Sequence, residues 1–222
     1  MYVLVACEES QRVCKAFRDR GHIAFSCDVI EESGGFPEWH IQQDVLPLLD
    51  GFCSFRTCDG VEHTISGKWD LIIGFPPCIY LTAAGACRLY PVKGQIDPER
   101  YELGKRAAAF FMAILNADCE KICVENPTPM KVFELPKYNQ VIEPFQFGHP
   151  YKKRTCLWLK GLPKLEPTQI ITENIVSWVN AGSKDAHGNP RKANSTAATF
   201  RDTKTRSKTF TGVAQAMAEQ WG

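Results

Sequence analysis

A thiol follows a rigid dipeptide at Pro76-Pro77-Cys78, directly after the apolar stretch WDLIIGF. Each proline ring holds φ at about −65°, so Cys78 stands on a stiff platform at the end of a strand pattern. A thiol placed this way becomes a nucleophile when a neighbour lowers its pKa; taken by itself it reads more readily as a buried structural cysteine. A second apolar stretch, CEKICVEN, closes on Glu125-Asn126. A carboxylic acid beside a thiol suits attack on an electron-poor heteroaromatic ring. The sulfur adds to one ring carbon while the acid protonates or hydrogen-bonds a ring nitrogen that gains electron density. The adduct is nucleophilic at the adjacent carbon, which can then take an electrophile such as a methyl group.

Such a pair needs a scaffold that delivers both side chains to one place. YVLVAC reads as a strand, QRVCKAFRDRG as a helix stopped by Gly21, and HIAFSCDV as a second strand ending at Asp28. Strand, helix and strand in so short a span open a βαβ unit and imply a parallel sheet. CSFRTCDGVEHTIS, with Asp59-Gly60 between β-formers, is a hairpin pattern. DPERYELGKRAAAFFMAILNAD, with a proline in its first turn, is the strongest helix signal. VIEPFQF and RTCLWLKG read as two more strands, and a C-terminal helix begins after Gly212. Ligands of open α/β sheets bind beyond the carboxyl ends of the strands. Glu8, Glu9, Asp28, Asp44, Cys78 and Glu125 all fall at or just past such ends, which is more polarity than packing requires.

No apolar run approaches the roughly 18 residues of a membrane span, and MYVLVACEES meets two glutamates too early for a signal peptide, so a cytoplasmic location is expected. The ten cysteines then read as reduced, buried or catalytic. Cys53/Cys58 and Cys119/Cys123 are spaced pairs, but neither is CxxC and no histidine sits at finger spacing, so no metal site is expected. Residues 149–208 carry twelve Lys/Arg against four Asp/Glu, a net +8 that leaves −7 on the rest of the chain. Charge alone leaves two readings open, a polyanionic partner such as nucleic acid or a solvated lysine-rich loop. Residues 180–208, poor in large apolar side chains, read as a surface loop or a disordered segment.

The order of these motifs resembles the C5-cytosine DNA methyltransferase family, especially its short, phage-associated members. PPCIYLTAAG (76–85) is similar to the family's PPCQxFSxAG. Val124-Glu125-Asn126-Pro127 is similar to ENV, and Tyr151-Lys152-Lys153-Arg154 before TCLWL is similar to QxRxR and its strand. Ser207-Lys208-Thr209 and GVAQAMAEQW are similar to the closing turn and helix. The resemblance implies a Rossmann-like α/β fold of the class I methyltransferases, a mostly parallel sheet with helices on both faces. It implies a catalytic domain of residues 1–165 plus 207–222, with 166–206 as a basic, partly flexible insert in place of a target recognition domain. It makes Cys78 the nucleophile toward C6 of a flipped cytosine, Glu125 the group that holds N3 and the exocyclic amine, and Arg154 a contact to O2. Thr82, Asn126, Lys152 and Lys153 become substrate contacts. Asp28 becomes the acid on the ribose of S-adenosylmethionine and Asp44 the acid on its adenine, with Glu8, Ser10 and Pro76 also lining the cofactor.

The sequence departs from the family where a glycine-rich turn should follow the first strand: Ala6-Cys7-Glu8-Glu9-Ser10-Gln11 has no glycine. Phe75 replaces a glycine and Ile79 a glutamine. The insert is too short for a folded reader of several base pairs, so a protein partner supplying specificity is one expectation, and a phosphate grip without sequence reading is another. Two alternatives stay open: the same chemistry on RNA or a free cytidine nucleotide, and a non-catalytic nucleic-acid-binding protein on this scaffold. RNA C5 methyltransferases of the usual kind carry a second cysteine where this chain has Glu125.

Overall fold

Strands such as VLVA and LII carry no polar alternate residue, so they are stable only with both faces covered. The computed structural model, which describes residues 1–178 and 203–222, shows that covering. The chain opens with β1 (Tyr2–Ala6), α1 (Arg12–Asp19) and β2 (Ile23–Asp28), followed by a short edge strand β3 (His40–Gln42). The hairpin β4 (Cys53–Arg56) and β5 (Glu62–Ile65) precedes β6 (Leu71–Gly74). Next come α2 (Ala86–Leu89), α3 (Pro98–Leu115), β7 (Ile122–Asn126) and β8 (Gln140–Ile142). The chain continues through β9 (Tyr151–Lys152), β10 (Thr155–Lys160) and β11 (Val176–Ser177), and ends in α4 (Thr203–Ser207) and α5 (Thr211–Trp221).

Seven strands form one sheet in the order β3-β2-β1-β6-β7-β10-β8. From β3 to β7 every pairing is parallel; β10 runs antiparallel to both of its neighbours. Residue alternation divides the core in two. Val3, Val5, Leu71, Ile73 and Leu157 pack against Val13 and Phe17 of α1 and Val213 and Met217 of α5. Leu4, Ile72, Val124 and Trp158 face the other way, onto Phe111 and Ile114 of α3, with Phe55 and Trp69 in the same cluster. The chain thus has the expected Rossmann-like α/β architecture, a mostly parallel sheet with helices on both faces.

Three local differences from the sequence reading have simple causes. The strand expected over 141–147 ends at Ile142 because Pro144, which has no N–H to donate to a ladder, starts a 3-10 turn at Pro144–Gln146. The last helix includes Gly212 rather than starting after it. A Cβ there would lie 1.9 Å from the Phe147 carbonyl oxygen, and the Gly212 N–H donates to His149 Nε2 at 3.0 Å. Residues 203–207, expected in the loop or disordered segment, are helical. Residues 179–202, which hold the rest of that segment and much of the expected insert, lie outside the described residues. The part of the insert before them is tied to the body: Ile171 N–H donates to the Phe145 carbonyl at 2.8 Å, and β11 pairs with β9.

Candidate active site

Because β6 and β7 are adjacent and parallel, the chain leaves both at the same edge of the sheet. The segments that follow are joined backbone to backbone. Ala83 N–H donates to the Thr128 carbonyl (2.9 Å), Met130 N–H donates to the Leu81 carbonyl (2.7 Å), and Thr82 bridges to Pro129. The chain just past Cys78 folds back on itself, since the Leu81 and Thr82 N–H groups both donate to the Cys78 carbonyl at 3.0 Å. Pro76 is buried beneath this turn. Arg100 of α3 clamps it from outside, donating to the Ile79 carbonyl (2.8 Å) and lying over the Tyr80 ring. Thr82 Oγ1 accepts from the Ala84 N–H at 3.4 Å.

Cys78 is half-buried. Burial raises its thiol pKa, the charge of Glu125 raises it further, and Lys153 opposes both. Glu125 is likewise raised by burial and lowered by Lys153. The three groups therefore form one electrostatic unit. Lys153 and Thr155 share a face of the chain and line a small cavity of about 30 Å³ with Glu125, Phe75, Phe210 and Met217. Lys153 Nζ is held by the Arg206 carbonyl at 3.2 Å. Arg154 points the other way, its Nε donating to Thr128 Oγ1 (3.3 Å) and Nη2 to Tyr138 Oη (3.2 Å). It reaches the loop after Glu125 rather than Glu125 itself. Lys152 is exposed, and its charge reaches Glu143, a carboxyl raised by burial and lowered by the Lys153 N–H, Arg154 and Lys152. Asn126 is fully buried; Nδ2 donates to the Pro127 carbonyl (2.6 Å), while Oδ1 has no partner.

The other predicted cluster lies at the ends of β1 and β2. The turn after β1 has no glycine, yet Cys7 and Gln11 hold φ of 59° and 55°, the left-handed region that glycine visits most easily. Buried side chains hold it there. Glu8 Oε1 accepts from the Val13 N–H (2.7 Å) and Oε2 from the Cys14 N–H (3.1 Å), satisfying donors that a helix start leaves open. Burial pushes the Glu8 carboxyl up to about 7 against those two N–H bonds. Gln11 Oε1 accepts from the Phe36 N–H (3.0 Å), and Nε2 donates to the Phe36 carbonyl (2.8 Å) and Ser26 Oγ (3.4 Å). A Cβ on Gly34 would sit 2.5 Å from Gln11 Oε1, so only glycine passes there. Glu9 accepts from the Ser33 hydroxyl, to which Lys208 Nζ donates at 2.9 Å. Ser10 is half-buried in the same turn.

Asp28 is half-buried at the end of β2 and raised chiefly by burial, and its Oδ1 accepts from the Ile30 N–H at 3.3 Å. Asp44 is exposed, with Oδ1 accepting from the Leu46 N–H at 3.0 Å. Burial raises the Cys7 thiol at the end of β1, and the charges of Asp28 and Asp44 raise it further. Most of the predicted residues thus fall into two groups: Pro76, Cys78, Thr82, Glu125, Asn126, Lys153 and Arg154 around β6 and β7, and Glu8, Ser10, Asp28 and Asp44 around β1 and β2, while Lys152 is turned to solvent. Sequence reasoning missed Gln11, Thr128, Tyr138 and Arg100, all of which act through contacts distant in sequence. The inward position of Lys153 could have been found from alternation alone, since it shares a face with Thr155.

All ten cysteines are free thiols. Among the described residues no group of three or more His, Cys, Asp or Glu could hold a metal ion, and no helix is long and apolar enough to cross a membrane. No protein-family model matches the chain, and no curated protein does. Among solved structures, the chain is similar to a "putative DNA modification methyltransferase" encoded within an E. coli prophage, with 15% identity and a TM-score of 0.45. The likeness covers 80% of this chain and 53% of that one, so the chain spans about half the length of its structural neighbour.

Proposed function

We propose that the protein transfers a methyl group from S-adenosylmethionine to C5 of cytosine in DNA, through a transient bond between Cys78 and C6. The observation that carries this reading is the meeting of Cys78 and Glu125 at one sheet edge, each within electrostatic reach of the other and of Lys153. Packing alone has no need to bring a thiol, an acid and an amine together there.

The donor's nucleoside is assigned to the carboxyl ends of β1 and β2. Asp28 and Asp44 each commit one oxygen to a local N–H, leaving the other to accept from ribose hydroxyls and an adenine amine. Ser10 lies in the turn after β1, and Pro76 is buried just past β6. Glu8 has both oxygens on α1, so its part is to shape the turn. S-adenosylmethionine supplies an electrophilic methyl group on its sulfonium.

The protein's own groups do the rest. Burial keeps Cys78 protonated until a base enters; the thiol proton then leaves to solvent, and the sulfur bonds to C6. The C5=C6 electron pair moves toward C5, and the ring gains charge. Burial favours the protonated form of Glu125, which gives its proton to N3 while its other oxygen accepts from the exocyclic amine. By then the sulfur carries no charge, so the new carboxylate no longer opposes it. C5 takes the methyl group and loses its proton to solvent. The C5=C6 bond reforms, the Cys78 sulfur departs, and N3 returns its proton to Glu125.

The test is incubation with methyl-labelled S-adenosylmethionine and duplex DNA, RNA or deoxycytidine nucleotides in parallel. Label on DNA cytosine, lost by more than ~10³-fold in Cys78→Ala, is the expected result. DNA carrying 5-fluorocytosine, whose C5 cannot lose a proton, should trap a denaturant-resistant adduct. Turnover without that adduct contradicts the thiol addition. Label on RNA or nucleotides alone moves the assignment to that acceptor, and absence of donor binding by calorimetry favours a non-catalytic scaffold.

A further inference from the structure

We propose that Arg100 is a positioning residue for Cys78: it holds the Ile79-Tyr80 turn closed and so fixes where the sulfur stands when a base arrives. The inference rests on the reading above, because it concerns the same nucleophile, and it adds a residue of α3 that acts through the turn rather than on the base.

The contacts are direct. Arg100 Nη2 donates to the Ile79 carbonyl at 2.8 Å, and the guanidinium lies 4.9 Å from the centre of the Tyr80 ring. Among the described residues no other hydrogen bond reaches the backbone of Ile79 or Tyr80. The residues on either side are held by other means: the Leu81 and Thr82 N–H groups donate to the Cys78 carbonyl, and residues 81 and 83 are joined to Met130 and Thr128. Arg100 is thus the tether on the two residues that follow the nucleophile. Gly85 makes room for it, since a Cβ there would lie 3.2 Å from the Ile79 oxygen and 3.4 Å from Arg100 Nη2. The arginine is itself anchored. Asp97 accepts from the Arg100 N–H at 2.8 Å, and the Asp97 N–H donates to the Leu89 carbonyl at the end of α2 at 2.9 Å.

Two features set Arg100 apart from an arginine that only steadies a helix. Among the described residues no carboxylate pairs with it. Its Nε is buried with no partner, a cost to stability that the side chain bears while keeping its plane on the turn. A planar guanidinium can donate in its plane to a carbonyl and lay its face on a ring at once, which an ammonium group cannot do. Ile79 is exposed, so nothing from outside packs the turn down in place of Arg100. Release of the turn would let the sulfur swing, and a misplacement of about 1 Å costs on the order of 10²-fold in rate.

The experiment joins three measurements on the full-length protein and its Arg100→Met variant: amide hydrogen exchange, alkylation of each cysteine by iodoacetamide followed by peptide mass spectrometry, and label transfer to DNA. Each alkylation forms an S–C bond, releases iodide and gives the thiol proton to solvent. In Arg100→Met, exchange at Leu81 and Thr82 should rise about tenfold or more, and half-buried Cys78 should react about fivefold faster or more as it becomes exposed. Exposed Cys58, on the hairpin, should react at the wild-type rate. For label transfer, kcat should fall about tenfold or more while KM for DNA stays within about twofold. Arg100→Lys, which keeps a donor for the carbonyl, should recover part of each change, and Gly85→Ala, which crowds that carbonyl, should shift exchange and alkylation in the same direction as Arg100→Met. Unchanged exchange at Leu81 and Thr82 and an unchanged Cys78 rate overturn the role of Arg100 and leave the methyl-transfer reading standing. So does a loosened turn with wild-type kcat, or exchange that rises equally in β1 and β7, where Arg100 would be holding the fold as a whole. A loosened turn in Arg100→Met, with a wild type that transfers label to no acceptor, supports the tether and removes the methyl-transfer reading instead.

Discussion

The two ends of the sheet's carboxyl edge are held by opposite means. At β1 and β2 the turn is locked by side chains: Glu8 closes α1, Gln11 binds both sides of the Phe36 peptide unit and Ser26, and Ser26 in turn meets buried His40 at 2.9 Å. At β6 and β7 the connections are locked by backbone bonds between residues 81–83 and 128–130, a locking in which the Cys78 thiol and the Glu125 carboxyl take no part. The charges differ as well. Acids (Glu8, Glu9, Asp28, Asp44) crowd the first end and bases (Lys152, Lys153, Arg154) the second. A cationic donor and a polyanionic acceptor would thereby be drawn to separate halves of one crevice. On the proposed reading, polar residues in the first half mainly hold structure, and Cys78 and Glu125 in the second serve the chemistry.

Glu8 gives the largest expected effect. Glu8→Ala strands two buried N–H groups and should destabilise the fold by about 2–4 kcal/mol in denaturant titrations. Its pH dependence sharpens the point. A carboxyl at about 7 in the folded state, above its unfolded value, means that the folded protein holds the proton more tightly. Its contribution is complete below the unfolded value and is lost as pH rises through about 7. The loss is on the order of 3 kcal/mol. Glu8→Gln should flatten stability between pH 5 and 8, and an unchanged slope would show that Glu8 is not the group responsible.

Gln11→Ala should cost about 1–3 kcal/mol, because it unties the Phe36 peptide unit and leaves a non-glycine residue at φ 55° without its compensating bonds. Hydrogen exchange at residues 33–36 should rise with it. By contrast, Cys78→Ala, which breaks no side-chain hydrogen bond, and Lys153→Met, which loses only the Nζ bond to the Arg206 carbonyl, should leave stability within about 1 kcal/mol while changing activity. A loss of fold in the second half comparable to that in the first would erase the distinction.

The same contrast explains what the sequence makes legible. Core strands and α3 are readable because continuous apolar runs and the Asp97-Pro98 start act locally; Asp97 does cap α3, accepting from the Arg100 N–H at 2.8 Å. Cys78 and Glu125 are readable because strand ends fall at one edge of a parallel sheet. The glycine-free turn is not readable. Its left-handed residues are held by partners far along the chain, Phe36 and Ser26 for Gln11, and no local pattern encodes those bonds. The same holds for the division of labour between Lys153 and Arg154, which depends on a loop supplying Thr128 and Tyr138 to the second and on the Arg206 carbonyl reaching the first.

The smallest effect tests the sorting of charge. Neutralising a phosphate-binding cation lowers the slope of log K against log salt by about 0.9 per contact on duplex DNA. Lys152→Ala and Arg154→Ala should each reduce that slope by roughly one, while stability stays within about 0.5 kcal/mol, since both side chains are exposed. Glu31→Gln, on the open groove at the far end with Glu32 and Arg56, should leave the slope unchanged. If Glu31→Gln shifts the slope as much as the basic substitutions do, the nucleic acid lies across both halves. The acidic end would then be repelling the duplex that it has to seat, and the two-region picture would give way to a single extended interface.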